Sequence, residues 1–178
     1  MLSKLRVLNS KTIFKGKVVE LSVDRVIEPG GLTADRELIH HQGSAVVLPL
    51  LPDGRILLVR QFRYAARKPL WELVAGLLEP GEEPMEGARR ELLEETGYRP
   101  ESLRHLFTFY PSPGFLNERV HLFEATGLTR SKAQPEADER IRLGRFTMTQ
   151  LRQRLSANKI EDGKTLMAVL WLISRRRR

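Results

Sequence analysis

The chain has 178 residues, 41% apolar and 29% charged, which suits one soluble globular domain with a sizeable core. It has no cysteine, which excludes disulfides, thiol catalysis and thiolate metal sites. Of the net charge of +8, the tail Arg175 to Arg178 supplies four; no RNA-binding motif with interleaved aromatics accompanies that tail, so it reads as a solvated terminus and nucleic acid is not an expected partner.

The N-terminus lacks a long apolar stretch, so no signal peptide is evident, and cytoplasmic residence is the default expectation. Residues 12 to 42 read as an N-terminal β segment, with partial alternation from Val18 to Val26 and a turn at Pro29-Gly30-Gly31. Ser44 to Leu51 is a buried-looking strand, and Pro52-Asp53-Gly54 makes a hairpin turn into Arg55 to Phe62. Leu70 to Ala75 is short and extended. Pro84 suits the first turn of a helix, Glu82, Glu83 and Glu86 place negative charge at its positive end, and Gly97 is a natural stop. One amphipathic helix over 84 to 96 follows, with Ala88, Leu92 and Leu93 inward. Strands are expected at Leu103 to Tyr110, Arg119 to Ala125 and Arg140 to Thr147, and helices at about 148 to 157 and 164 to 174. The apolar run Leu166 to Ile173 is far too short to span a membrane, and no membrane partner is expected. By periodicity alone this order is α/β or α+β.

The chemistry concentrates in Gly76 to Tyr98. On the helix, Glu91 and Glu95 are four residues apart and Glu91 and Glu94 three apart, so all three project from one side, while Glu82 arrives from the preceding loop. Four carboxylates converging there repel unless something positive sits among them. Hard divalent cations take such oxygen ligands, often together with substrate phosphates. Arg90 can pair with Glu94 or Glu86 and hold the carboxylates in place. A bare E-x-x-E-E reads as an ordinary acidic, solvated helix; the loop ahead of it, Arg90 and Gly97 at fixed offsets favour a site.

Gly76, Glu82, Arg90-Glu91-Leu92, Glu94-Glu95 and Gly97-Tyr98 resemble the Nudix box, G-x5-E-x7-R-E-U-x-E-E-x-G-U, with Tyr98 an aromatic version of the last apolar position. The resemblance implies a metal-dependent hydrolase of nucleoside diphosphates linked to another group. It also implies an α/β/α sandwich with a mixed sheet, here with an additional N-terminal antiparallel β segment. The expected organisation is 1–42, for dimerisation and substrate contacts, 43–174 as the hydrolase domain, and 175–178 as the basic tail.

Three further stretches resemble the ADP-ribose pyrophosphatase and nucleoside-diphosphate-sugar branch. They are Arg60-Gln61-Phe62-Arg63-Tyr64 with Trp71 to Gly76, Tyr110 to Phe115 with Glu118, and Pro135 to Glu139 with the later Glu161 to Thr165. Val74 stands where the branch usually has proline. The resemblance implies Mg²⁺, with Mn²⁺ as an alternative, held by Glu91, Glu95 and a backbone carbonyl of Ala75, with Glu94, Glu82 and Glu139 as further ligands. Glu94, Glu95 and Glu139 are the catalytic candidates. The base is open: Ala137 stands where a second acid is often found, which leaves Glu136, Asp138 or a carboxylate of the box to take its place. Substrate contacts are expected from Arg60, Arg63, Glu72, Pro113, Gly114 and Glu118. Arg63 has two readings: a bidentate phosphate clamp or a sheet-edge salt bridge. Ser112 belongs to no nucleophile motif and reads as a turn residue between two prolines, and the four histidines lack metal-ligand spacing. The expected activity is hydrolysis of ADP-ribose to AMP and ribose 5-phosphate by a homodimer. Alternatives are hydrolysis of GDP-mannose or UDP-glucose, a silent nucleotide- or RNA-binding Nudix protein, and RNA pyrophosphohydrolysis.

Overall fold

The computed structural model describes residues 4–131 and 140–175. Glu139 and the rest of the acidic stretch from Pro135 lie outside the described residues, as do the last three arginines. The chain divides into two compact units, residues 1–43 with 109–119, and residues 44–108 with 120–178.

The first unit is built on an antiparallel sheet of β1 (Arg6–Lys15), β2 (Glu20–Ile27) and β3 (Thr33–His40), in that order. β1 starts six residues before the expected segment, and all its residues are exposed, including Val7, Leu8, Ile13 and Phe14. No clean alternation announces such a strand. β2 alternates, with Ser22, Asp24 and Val26 buried. Ser22 Oγ donates to Asp24 at 3.0 Å and lies 2.9 Å from His40 Nε2, which places that histidine in a strand-to-strand polar contact. The 109–119 segment joins this unit through backbone bonds: Ile39 N–H donates to Phe115 O at 2.7 Å, and Asn117 N–H to Ile39 O at 3.2 Å. Leu116 N–H donates to Ser112 O at 3.1 Å, so Ser112 does close a turn.

In the second unit, β4 (Ser44–Pro49) is buried along its whole length, as a strand covered on both faces must be. It pairs in parallel with β10 (Val120–Thr126) and antiparallel with β7 (Val74–Leu77), giving a mixed sheet of order β7-β4-β10-β9, where β9 is Ser102–Phe109. A second, antiparallel sheet has the order β12-β5-β6: Arg142–Phe146, Ile56–Arg63 and Lys68–Glu72. The two-residue strands β8 (Tyr98–Arg99) and β11 (Thr129–Arg130) pair with each other. The expected α/β fold with a mixed sheet and an added antiparallel N-terminal segment is present.

Two expectations are corrected. The turn at Pro52 to Gly54 forms, with Gly54 N–H donating to Leu51 O at 2.8 Å, but the strands beside it do not make one hairpin. A single bridge, Leu50 to Ile56, joins them, and β4 and β5 go to different sheets. The stretch Leu70 to Ala75 is likewise two strands, broken at the buried Leu73, where the chain passes from one sheet to the other.

The helix α1 (Pro84–Thr96) has the expected bounds and ends on Gly97 in the left-handed region, φ 71°, with the Gly97 N–H donating to Leu93 O. Ala88 and Leu92 pack with Ala45 and Val47 of β4, Leu57 and Val59 of β5, and Phe123 and Ala125 of β10. Leu93 is half-buried instead of inward. α2 (Met148–Ser156) opens with a reciprocal cap between Thr147 and Gln150, and α3 (Gly163–Arg175) buries Thr165, Ala168, Val169 and Leu172. Among the described residues no helix is long and apolar enough to cross a membrane.

Candidate active site

Gly76 is the pivot of the site. A Cβ at this position would overlap the Glu91 carboxylate, so the absence of a side chain on β7 lets that carboxylate lie directly against the backbone beside Ala75. Ala75 and Gly76 are held in register by β4, paired with Val46 and Ala45. Helix and strand thus bring a side-chain carboxylate against the stretch of backbone that carries the Ala75 carbonyl.

Arg90 organises the acidic helix. Its Nε donates to Glu82 Oε1 and one Nη to Glu82 Oε2, both at 2.9 Å; the other Nη donates to Glu91 at 2.6 Å and to Glu94 at 3.0 Å. A further bond reaches Leu77 O at 3.0 Å. The first positive charge among these carboxylates is therefore the guanidinium. The expected pairing with Glu94 forms, but that with Glu86 does not: Glu86 faces Arg89, at 3.8 Å. Arg90's bonds to Glu82 dominate in raising its pKa, against the opposing effect of burial. Glu82 is held below the usual carboxylate range by Arg90 first, with the Glu79 N–H, 2.9 Å away, adding to this against partial burial. With both oxygens already accepting, Glu82 is oriented as a brace for Arg90.

Glu95, one turn beyond Glu91, is buried at 5% exposure. It bears electrostatically on Arg63, as does Asp162. Among the described residues no three carboxylates or imidazoles already form a ligand cage. The candidate donors are hard oxygens: Glu91 over Gly76, and Glu95 four residues further along the same helix. That chemistry, and the glycine that lets Glu91 lie against the backbone, fit a hard divalent cation.

Arg63 takes the salt-bridge arrangement. Its Nε donates to Glu72 Oε1 at 2.9 Å and an Nη to Oε2 at 3.0 Å, a fork on a carboxylate that is 1% exposed as a residue. The Arg63 side chain is 40% exposed, and Glu72 takes one Nη and the Nε. Its pKa is raised, chiefly by Glu72. Arg60 goes elsewhere. In the β5–β6 register Val59 opposes Glu72 while Arg60 opposes Trp71, and strand side chains alternate, so Arg60 lies on the face opposite Arg63 and Glu72. Pro113 and Gly114 are exposed and Glu118 is half-buried; all three belong to the first unit.

Two residues without an expected role lock the junction at Leu73. Its N–H donates to Thr165 Oγ1 at 2.8 Å, and that hydroxyl donates to Asp162 Oδ2 at 2.7 Å. Asp162 also accepts from the Thr165 N–H at 2.8 Å and from Lys164 at 2.7 Å. Burial raises the Asp162 pKa, but Lys164 and Thr165 outweigh it and hold the carboxyl below its ordinary value. The chain therefore ties the start of α3 to the residue between Glu72 and Val74. An Asp-x-x-Thr ahead of an apolar run was a readable capping signal; its tertiary partner was not.

Tyr98, the aromatic variant at the end of the box, is buried to 7% and its hydroxyl accepts from Arg130 and Arg145, each at 3.1 Å. The larger ring is accommodated because its polar end meets two cations.

Comparison with known proteins adds a consistent picture. Over 169 residues, 94% of this chain, it is 38% identical to the methanol dehydrogenase activator of Bacillus methanolicus and 37% identical to the ADP-ribose pyrophosphatase of Bacillus subtilis (strain 168), covering 91% of each. A GDP-mannose pyrophosphatase of Yersinia enterocolitica is 37% identical over 134 residues, 70% of either chain. A crystal structure of an ADP compounds hydrolase superposes with a TM-score of 0.82, at 19% identity, over 98% of this chain and 95% of that one, and shares its fold. The NUDIX domain model matches residues 40–168, which contain the glycine cradle, the Arg90 brace and the Leu73 junction alike, so the chain belongs to the Nudix family.

Proposed function

We propose that this Nudix pyrophosphohydrolase cleaves the pyrophosphate bond of ADP-ribose with Mg²⁺, Mn²⁺ being an alternative ion. Water adds at one phosphorus, the P–O bond of the anhydride breaks, and AMP and ribose 5-phosphate leave. The observation that carries this reading is the Glu91 carboxylate set against Gly76, in a chain that aligns over nearly its whole length with an ADP-ribose pyrophosphatase. Glu91, Glu95 and the Ala75 carbonyl would hold the ion. A divalent cation bound there neutralises phosphate charge and lowers the pKa of a bound water. Arg90 keeps Glu91 and Glu94 in place, and Glu82 keeps Arg90 in place. Arg63, anchored by Glu72, would offer its remaining N–H groups to a substrate phosphate. The general base is assigned to Glu94, Glu95 or Glu139, and Pro113, Gly114 and Glu118 keep the substrate contacts that the resemblance implies.

The exposed apolar residues of β1, an edge strand with unpaired backbone groups, support a homodimer formed through the N-terminal sheet. A monomeric mass by light scattering at micromolar concentration would contradict it.

The second reading is hydrolysis of GDP-mannose, favoured by the 37% identity to a GDP-mannose pyrophosphatase. A panel of ADP-ribose, GDP-mannose, UDP-glucose, dinucleoside polyphosphates and capped RNA, run with Mg²⁺, with Mn²⁺ and with excess EDTA, decides between them. ADP-ribose is expected to give the highest kcat/KM and EDTA to abolish turnover. A higher kcat/KM for GDP-mannose transfers the assignment to that substrate.

A further inference from the structure

The face of the β12-β5-β6 sheet turned away from Arg63 and Glu72 carries a separate concentration of positive charge. Trp71 and Phe146 form its floor, edge to face with ring centroids 5.0 Å apart, and Gly144 keeps the strand close beneath them, since a Cβ there would press on both rings. The Arg60 guanidinium stands 5.9 Å from the Trp71 ring centre, and that of Arg154, from α2, stands 4.8 Å from the Phe146 ring. Two clefts of about 370 Å³ each open over this floor and share Arg154 and Lys159 as common walls. Each falls in the lower part of the roughly 300–1,000 Å³ range of small-molecule pockets.

Among the described residues, the charge in these clefts is not compensated from within. Arg142 lies directly across from Arg60 in the β12–β5 register, and like charges directly opposed in a sheet are destabilising. Among the described residues, Glu161 is the one carboxylate lining the two clefts, and it is already ion-paired with Lys68. No carboxylate of the described residues pairs with Arg60, Arg142, Arg154 or Lys159. Guanidinium forks match the oxygens of a phosphate, and several cations along joined clefts match a short run of phosphates better than a single one. Arginines stand over both rings, which favours recognition of phosphate over stacking of a base.

We propose that this groove binds the di- or triphosphate group of a small anion, at a site distinct from the carboxylate helix. The test is calorimetric titration with inorganic tripolyphosphate in EDTA at fixed low salt, comparing the intact chain with Arg154→Ala/Lys159→Ala and with the single exposed variant Lys159→Glu. The expected result is saturable binding of one tripolyphosphate per chain. Each lost charged contact is worth about tenfold, so the double variant should bind about 100-fold more weakly while hydrolysing ADP-ribose like the parent. Lys159→Glu should weaken binding at least tenfold. Failure of tripolyphosphate to bind saturably, or undiminished binding by both variants, overturns the proposal. So does tight binding of a single-stranded RNA of about 12 nucleotides that tripolyphosphate does not displace, which would make the surface a nucleic-acid track.

Discussion

Replacing Thr165 by valine removes one hydroxyl and leaves the shape of a fully buried residue nearly unchanged. That hydroxyl accepts from the Leu73 N–H at 2.8 Å and donates to Asp162 at 2.7 Å. The variant leaves a buried backbone donor without its acceptor, at about 1–3 kcal/mol, and takes one charge-assisted bond from Asp162. Asp162 keeps the Thr165 N–H and Lys164, so the combined loss should be about 2–4 kcal/mol. At this chain length each kcal/mol corresponds to roughly 2–4 °C, which gives a fall in Tm of about 5–15 °C. The functional effect follows from position: Leu73 lies between Glu72, which anchors Arg63, and the Val74–Gly76 stretch beneath Glu91. A displacement near 1 Å of such groups can cost about 100-fold in rate, so kcat/KM for ADP-ribose should fall about 10- to 100-fold. Thr165→Ser, which keeps the hydroxyl, should recover most of both losses. Scanning fluorimetry and steady-state hydrolysis measure them. A Thr165→Val protein with parental Tm and parental kcat/KM would refute the idea that this chain of bonds holds the junction.

Glu95→Gln should lower kcat by roughly 10²–10⁴ with the fold kept, measured by hydrolysis and circular dichroism, because the buried carboxylate loses the charge proposed to hold the cation. Gly76→Ala should displace Glu91 and cost a comparable factor in kcat, since the added methyl occupies the space of that carboxylate. Arg63→Ala should lose both stability and activity, because it strands the buried Glu72 charge; with Arg63 40% exposed the loss should fall below the roughly 3–5 kcal/mol of a fully buried pair. The double variant Arg63→Ala/Glu72→Gln should regain Tm but keep a 10- to 100-fold deficit in kcat/KM; full recovery of activity would leave Arg63 with a structural role alone. The Asp162 carboxyl is held below its unfolded value, so its contribution to stability is present above that value, roughly 3.9, and is lost as pH falls through the lower folded one. Asp162→Asn should therefore flatten the acid limb of urea-denaturation stability below about pH 4.

The local part of this protein was legible in the sequence. Proline at the first turn, the 3.6-residue spacing of Ala88 and Leu92, and Gly97 at the end fix α1 through interactions a few residues long, and the same spacing puts Glu91, Glu94 and Glu95 on one side. The turn at Pro52 is equally local. Tertiary structure decided what each of these meets. The exposed strand β1 has no buried face, so no alternation could mark its start. Leu73 reads as the middle of one extended run; only the separation of two sheets makes it a junction, and only packing against α3 supplies Thr165 as its partner. Arg60 and Arg63 are three apart on one strand, so alternation alone turns them to opposite faces; what each meets there, Trp71 for one and Glu72 for the other, was decided by strand pairing. The sequence by itself determined which residues could carry charge and bend the chain. Long-range pairing decided which charges are neutralised, because opposite charges attract strongly only once burial removes water and folding brings them within a few ångströms.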